Sequence, residues 1–233
     1  IRKKWEEFIE HPLYKEYFVS NKQLKKMDKP QPKKESNQIN ENKSNKKISE
    51  LSELHKKYKS MNSVNLHKYF KDNKDKWFEY HEISDENEKT FPKEEIPYKK
   101  VIKYLEEIPG KRKKTIVDLG CGKARVYEHF KKNKRFEFYN FDHIAYNDKV
   151  IERDIRNTCL EEYSVDIVIL CLSMWGSNCK EYLEEANRIL DKDGKLIIIE
   201  PYKRWNEEKD NKIENRLIKL LEDNNLIIDN KNE

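Results

Sequence analysis

The chain changes its hydrophobic pattern at about residue 111, and this change limits the folds open to it. From there on, short apolar runs of strand length alternate with segments whose apolar residues recur at helical spacing. Such alternation is typical of an open α/β sheet in which helices connect parallel strands. The predicted strands span 115–119, 136–141, 149–153, 166–172 and 195–200. The predicted helices span 125–132, 180–190 and 211–222. We therefore expect an α/β fold with helices on both faces of the sheet.

The first 110 residues differ from this pattern and predict helices joined by a linker. Residues 1–21 carry closely spaced aromatic residues and predict a short helical segment. Residues 48–110 predict a helical extension of a sheet domain at 111–233. Between them, residues 22–47 hold nine lysines against three acidic residues and little that could be buried. We predict a disordered basic linker there, either a solvated spacer or an electrostatic tether for a polyanion.

Composition excludes several classes of protein. Hydrophobic residues make up 36% of the chain and charged residues 40%, and no apolar run approaches the roughly 18 residues that cross a bilayer. The four cysteines show no Cys-x-x-Cys spacing, which argues against a disulfide framework and a zinc site. We expect an intracellular protein without a membrane or metal partner. Because the first residue is Ile1, the chain is also compatible with part of a larger polypeptide.

The first predicted strand ends in Asp118-Leu119-Gly120-Cys121-Gly122, in a chain with only five glycines. Glycines at a turn between strand and helix let a ligand approach backbone N–H groups without a Cβ in the way. The dinucleotide fingerprint needs a third small residue, where this chain has Arg125. The alternative is that the glycines serve only the geometry of the turn and bind no ligand.

Acidic residues also follow the next two predicted strands. Asp142 stands where one carboxylate could accept hydrogen bonds from both hydroxyls of a ribose, and Asp154 could accept from an adenine amine. Either residue alone could be an ordinary turn aspartate. The carboxyl ends of parallel strands form the ligand edge of such sheets, so the three acids together favour a nucleoside site.

Between Tyr69 and Trp205 the chain resembles the family of ribosomal RNA-processing protein 8, also called nucleomethylin. The stretches that carry the resemblance are 69–73, 77–82, 117–122, 164–178, 182–190 and 194–196. The most specific of them is Cys-Leu-Ser-Met-Trp-Gly-Ser-Asn at 171–178. The chain departs from the family at Lys123-Ala124, at Ile155 and at Trp175, and it lacks the expected final strand pair, so we expect an incomplete sheet edge.

The resemblance implies a class I S-adenosyl-L-methionine-dependent methyltransferase with a Rossmann-like sheet, which methylates an adenine at N1 in ribosomal RNA. It implies S-adenosyl-L-methionine as cofactor, ribosomal RNA as partner and the nucleus or nucleolus as location, with the cytoplasm as the alternative. Residues 48–110 would supply a lid over the cofactor. The predicted cofactor-binding residues are His81, Asp118, Gly120, Cys121, Gly122, Asp142, Asp154, Ile155 and Cys171.

The loop after the fourth predicted strand is expected to hold the target base. The residues predicted to position it are Ser173, Met174, Trp175 and Asn178. Trp175 could stack on an extruded base or pack in the core. Two other functions stay open: a class I methyltransferase of a non-RNA substrate, and a non-catalytic module of a larger nucleic-acid-processing protein. Basic clusters at 111–114 and 131–135 would favour RNA if they lay on the cofactor edge of the sheet.

Overall fold

The computed structural model describes residues 3–7, 50–209, 212–224 and 226–228. Nine strands are present in this part of the chain: β1 (Lys3–Glu7), β2 (Lys114–Leu119), β3 (Phe136–Asp142), β4 (Val150–Glu152), β5 (Val165–Cys171), β6 (Leu190–Ile199), β7 (Asn206–Lys209), β8 (Lys212–Asn215) and β9 (Leu226–Ile228). The helices are α1 (50–60), α2 (Ser63–Asp72), α3 (Lys74–Glu88), α4 (Pro97–Glu107), α5 (Arg125–Phe130), α6 (Lys180–Ile189), α7 (Tyr202–Trp205) and α8 (Arg216–Asp223), with a short 3₁₀ turn at Lys93–Glu95.

Seven strands form one sheet in the order β4-β3-β2-β5-β6-β1-β9, and all the pairings in it are parallel. The chain runs outward from β2 through β3 to β4, then crosses to β5 on the other side of β2. The crevice at such a reversal is the usual ligand site of an open α/β sheet. The predicted Rossmann-like α/β fold is confirmed.

Each face of the sheet packs against helices. On β5, Val168 and Leu170 join the apolar cluster under α6 and α8, whereas Ile167 and Ile169 join the cluster under α4 and α5. Alternate residues of a strand point to opposite faces, so a continuous apolar run is needed when both faces are covered. Helix α4 therefore belongs to the core of the sheet domain, although it precedes residue 111.

Three parts of the prediction need correction. Residues 3–7, predicted as helical, form β1, because their backbone pairs in parallel with both β6 and β9 and so satisfies two sheet edges. The sheet edge that was predicted to be incomplete is filled by these strands. Residues 212–215, predicted to begin a helix, pair with β7 in an antiparallel hairpin instead, and the helix begins at Arg216.

Strand β6 also begins earlier than predicted, at Leu190, where its pairing with β5 shifts register. The other sheet strands predicted between residues 115 and 172 agree with the structure within one residue at each end. The predicted linker at 22–47, and residues 1–21 apart from 3–7, lie outside the described residues.

Helices α1, α2 and α3 lie in the part of the chain that was predicted to be helical. They pack at the carboxyl edge of the sheet, and together we call them the helical arm. The Asn62 side chain accepts a hydrogen bond from the Asn65 backbone N–H and so caps the start of α2. Apolar residues of the three helices form a separate cluster with Ile144, which follows β3: Tyr58, Leu66, Phe70 and Trp77. This cluster holds the helical arm over the strand ends. Within the described residues, none of the helices has the length and apolar character to span a bilayer.

Candidate active site

A cavity of about 190 Å³ lies at the carboxyl edge of the sheet, between the ends of β2, β3 and β5 and helices α2 and α3. Most of the predicted cofactor residues line it: His81, Asp118, Gly120, Cys121, Gly122, Asp142, Ile155 and Cys171. From the predicted acceptor loop, Ser173 and Trp175 also line it. One cavity therefore joins two motifs that are far apart in sequence.

The glycine turn needs glycine because of what packs against it. Gly120 and Gly122 both have positive φ, +77° and +54°. A Cβ on Gly120 would lie 2.4 Å from the Ser173 Cβ, and a Cβ on Gly122 would lie 2.9 Å from the His81 ring. The turn is thus enclosed by the loop after β5 on one side and by α3 on the other. Glycines that served only the backbone geometry of the turn would not need such close neighbours.

The Asp142 carboxylate is 6% exposed and accepts three hydrogen bonds. Its Oδ1 accepts from Trp77 Nε1 at 2.8 Å and from the His143 backbone N at 2.7 Å, and its Oδ2 accepts from the Gly122 N at 2.8 Å. A carboxylate offers about four acceptor positions. A ligand that donates two hydrogen bonds to Asp142 must displace one of these donors, and Trp77 is the only side chain among them.

Asp118 is buried at the end of β2, and burial raises its pKa to about 7, with a further contribution from the charge of Asp142. The carboxyl is therefore poised between its neutral and ionised forms near neutral pH. A cationic group in the cavity would favour the ionised form.

Helix α3 is held over the turn by ion pairs. Lys123 lies 2.6 Å from Asp85, and Arg125 pairs with both Asp85 and Glu88. Burial lowers the pKa of His81 to about 4, so the imidazole above Gly122 is neutral at pH 7. The helix thus covers the turn with a neutral ring and is anchored by charged pairs that also line the cavity.

Asp154 lies beside the cavity without lining it. Its carboxylate accepts from Ser63 Oγ at 3.0 Å and from Arg156 Nε at 3.0 Å, while the neighbouring Ile155 is buried and does line the cavity. Ser63, fully buried at the start of α2, also joins Asn178, whose Oδ1 accepts from the Ser63 backbone N at 2.9 Å. Ser63 therefore ties the strand end at Asp154 to the acceptor loop.

The acceptor loop itself divides into cavity and core residues. Leu172 has a φ of +54°, and Ser173 Oγ is buried at the cavity without a hydrogen bond among the described residues. Met174 is fully buried in the core, with its backbone N donating to Glu200. Met174 therefore does not line the cavity, and its role beside a target base stays a prediction. Asn178 supports the loop and does not line the cavity.

Trp175 is half-buried at the cavity, where three basic side chains surround its indole. The His55 ring centroid lies 4.2 Å away, the Arg204 guanidinium carbon 4.7 Å and the Lys59 Nζ 5.0 Å from the indole centroid. The Trp175 Nε1 donates to the Leu172 carbonyl oxygen. The ring is thus a rim residue rather than a core residue.

Cys121 and Cys171 line the cavity as small half-buried side chains, and desolvation raises the pKa of both thiols. They are neutral near pH 7, which suits packing better than nucleophilic chemistry. Among the residues described, no cluster of side chains has a metal-binding composition.

The basic clusters at 111–114 and 131–135 lie at the opposite edge of the sheet. They precede β2 and β3, and Lys114 and Phe136 pair at the start of these strands. Lys114, where β2 begins, is four residues before Asp118, so it lies roughly 13 Å from Asp118 at about 3.3 Å per residue. Several of these cations are also paired: Arg112 with Asp166, Lys113 with Glu137 and Lys131 with Glu128. They do not form a positive face beside the cavity.

Sequence reasoning missed several residues that shape the site: His55, Lys59, Ser63, Trp77, Glu200 and Arg204. Glu200 could have been found, because it stands at the carboxyl end of β6 as Asp118 and Asp142 stand at the carboxyl ends of β2 and β3. The other five, of which only Trp77 lines the cavity, are brought to the site by the packing of the helical arm and α7, which leaves no local pattern in the sequence.

The fold places a cavity at the carboxyl edge of the sheet, and comparison with known proteins supplies the family. The sequence model of a family described as "Hypothetical methyltransferase" matches residues 36–227, and the chain belongs to this methyltransferase family. The predicted resemblance to a class I, S-adenosyl-L-methionine-dependent methyltransferase is thereby confirmed.

The curated relatives of the chain carry more specific names than the family. The chain is 35% identical over 137 residues to Ribosomal RNA-processing protein 8 of Arabidopsis thaliana, which covers 59% of this chain and 45% of that protein. It is 34% identical over 157 residues to the 25S rRNA (adenine(645)-N(1))-methyltransferase of Schizosaccharomyces pombe, which covers 65% of this chain and 49% of that protein. The chain spans about half the length of these relatives. A solved SAM-dependent methyltransferase from Aquifex aeolicus aligns over 54% of this chain and 77% of that chain, with 19% identity and a TM-score of 0.39.

Proposed function

We propose that this chain transfers a methyl group from S-adenosyl-L-methionine to N1 of an adenine in ribosomal RNA. The observation that carries the proposal is the single cavity that joins the glycine turn and Asp142 to the acceptor loop with Trp175. Membership of the methyltransferase family supports the reaction, and the names of the relatives support the acceptor. With ribosomal RNA as acceptor, we expect the chain to act in the nucleus or nucleolus.

The residues of the cavity fit this cofactor. Asp142 offers a carboxylate for the ribose hydroxyls, and the positive-φ turn exposes backbone to the methionine part. Ile155 and His143 supply buried surface beside Asp142 for a purine. The buried Ser173 Oγ, without a hydrogen bond among the described residues, is an unsatisfied group that a polar ligand would satisfy.

When bound, the cofactor supplies a methyl group activated by its sulfonium. The task of the protein is then to hold the adenine in line with that methyl group and to exclude water. The neutral His81 and helix α3 cover the turn, while Ser173 and Trp175 form the wall next to the acceptor. Adenine N1 already presents a lone pair at neutral pH, so no strong general base is required.

A non-RNA acceptor is the second candidate, and one observation favours it. The basic clusters at 111–114 and 131–135, expected to attract RNA if they bordered the cofactor, lie at the other edge of the sheet and are partly paired. The part of the cavity beside Ser173 and Trp175 would then receive a molecule smaller than RNA.

The test is methyl transfer from labelled cofactor to total RNA, followed by nuclease digestion and identification of the labelled nucleoside. We expect 1-methyladenosine, and we expect Asp142→Ala to lower the signal at the lowest cofactor concentration that saturates the wild type. Asp148→Ala is the matched control, because Asp148 is an exposed carboxylate a few residues further along the same loop. Label in a different nucleoside, or in protein, would contradict the proposed acceptor.

A further inference from the structure

Three basic side chains converge on Trp175 from parts of the chain that are distant in sequence. His55 and Lys59 come from α1, and Arg204 comes from α7 after the last central strand. A cation over an indole is attracted by the negative face of the ring, but this attraction is weak. It does not by itself explain why several basic groups gather at one half-buried place.

The acidic partners at this place do not balance the cations. Glu200, whose side chain is fully buried, lies 3.0 Å from Arg204 and also accepts from the Met174 backbone. Among the described residues, Lys59 has neither an ion-pair nor a hydrogen-bond partner. The site therefore carries an excess of positive charge next to a low-dielectric cavity.

The electrostatic response of the side chains agrees with this excess. Burial lowers the pKa of Lys59, and the charge of Arg204 lowers it further. Burial also lowers the pKa of His55 to about 4, with contributions from Lys59 and Arg204. His55 is thus neutral at pH 7, and only the part of these shifts that comes from the charges of Lys59 and Arg204 favours an anion here.

The place of this cluster in the fold indicates which anion. Trp175 lines the cavity at the acceptor loop, so a ligand that extends out of the cavity past the indole meets Lys59 directly. Arg204 is fixed by Glu200 and by the Met174 carbonyl oxygen, so it supplies charge, whereas Lys59 is the cation able to reach a ligand.

We propose that Lys59, supported by His55 and Arg204, binds a backbone phosphate of the RNA next to the nucleotide that enters the cavity. This site rests on the proposed RNA substrate, and it supplies the phosphate contact that the basic clusters at the opposite edge cannot make. It also suits the reaction, because N1-methyladenine is a cation and a bound phosphate would offset the positive charge beside it.

The test uses an oligouridylate that carries one central adenosine, with either natural phosphates or neutral methylphosphonates on both sides of that adenosine. Binding is measured in the presence of S-adenosyl-L-homocysteine for the wild type, Lys59→Gln and the matched control Lys56→Gln. Lys56 is an exposed lysine on the same helix, without a described contact to Trp175.

We expect methylphosphonates to weaken binding by the wild type and by Lys56→Gln, and to have no further effect on Lys59→Gln. The slope of log affinity against log salt should fall in magnitude by about 0.7 for Lys59→Gln, as for one contact to a single strand. A full methylphosphonate effect in Lys59→Gln would overturn the proposal. Methyl transfer by the wild type to the same RNA is scored separately, so loss of the proposed function is distinguished from loss of the phosphate site.

Discussion

The two halves of the cavity are built in different ways. The donor half consists of the glycine turn, Asp118 and Asp142, all at the ends of neighbouring central strands. The acceptor half consists of the loop after β5 together with side chains from α1, the start of α2 and α7. The donor half is therefore part of the sheet, whereas the acceptor half exists only when the helical arm is docked on it.

The two halves therefore differ in how much side-chain change they tolerate. In the donor half, close contacts such as that between Gly120 and Ser173 leave no space for change. In the acceptor half, Trp175 is held by ring and charge contacts on its periphery, which tolerate different partners. We expect the donor half to govern cofactor binding and the acceptor half to govern the choice of substrate.

The largest expected effect breaks the donor half. Gly120→Ala should lower the free energy of unfolding by about 1–3 kcal/mol more than Gly110→Ala, the cost of overpacking. Both glycines have positive φ, but a Cβ on Gly110 meets nothing within 4 Å, whereas one on Gly120 meets Ser173. Urea unfolding of the two variants measures the difference. Equal losses would show that the contact with the acceptor loop costs nothing.

The next effect, taken per pH unit, concerns the charge of the donor half. Asp118 has a raised pKa of about 7, so between its ordinary pKa of 3.8 and 7 the folded chain binds this proton more tightly than the unfolded chain. Its contribution to stability is therefore complete below pH 3.8 and is lost as the pH rises through 7, by at most about 1.4 kcal/mol per pH unit. Asp118→Asn should flatten the pH dependence of unfolding over this window. An unchanged slope in the variant would assign the dependence to other groups.

The smallest expected effect concerns the hydrogen bond between Trp77 of the helical arm and Asp142 of the donor half. Trp77→Phe keeps an aromatic ring but removes the N–H that donates to Asp142. If the ribose hydroxyls need that acceptor position, the variant should bind S-adenosyl-L-homocysteine about 0.5–1.5 kcal/mol more tightly, the net value of one hydrogen bond. Calorimetry measures the affinity. Weaker binding would mean that Trp77 holds Asp142 in place for the cofactor.

The donor half could be predicted from sequence because its signals are local. Asp118, Gly120 and Gly122 lie within five residues, and Asp142 follows the next strand, so strand ends alone bring them together. The strand at residues 3–7 and the burial of Met174 could not be predicted, for the opposite reason. Residues 3–7 form a strand only because β6 and β9 lie on either side, and Met174 is buried because its loop is anchored to Glu200. No spacing in the sequence encodes these distant partners.

The division into a donor half and an acceptor half is tested most directly by a crossed measurement of two affinities in two variants. Asp142→Ala should weaken S-adenosyl-L-homocysteine binding by about 1.5–3 kcal/mol, the value of hydrogen bonds to a charged group, and leave binding of cofactor-free protein to RNA unchanged. Trp175→Ala should weaken RNA binding by about 1–3 kcal/mol, the value of one stacked base, and leave S-adenosyl-L-homocysteine binding unchanged. Melting temperatures of both variants confirm that they are folded. If each folded variant lost both affinities to the same extent, the two halves would not be separate and the account would be wrong.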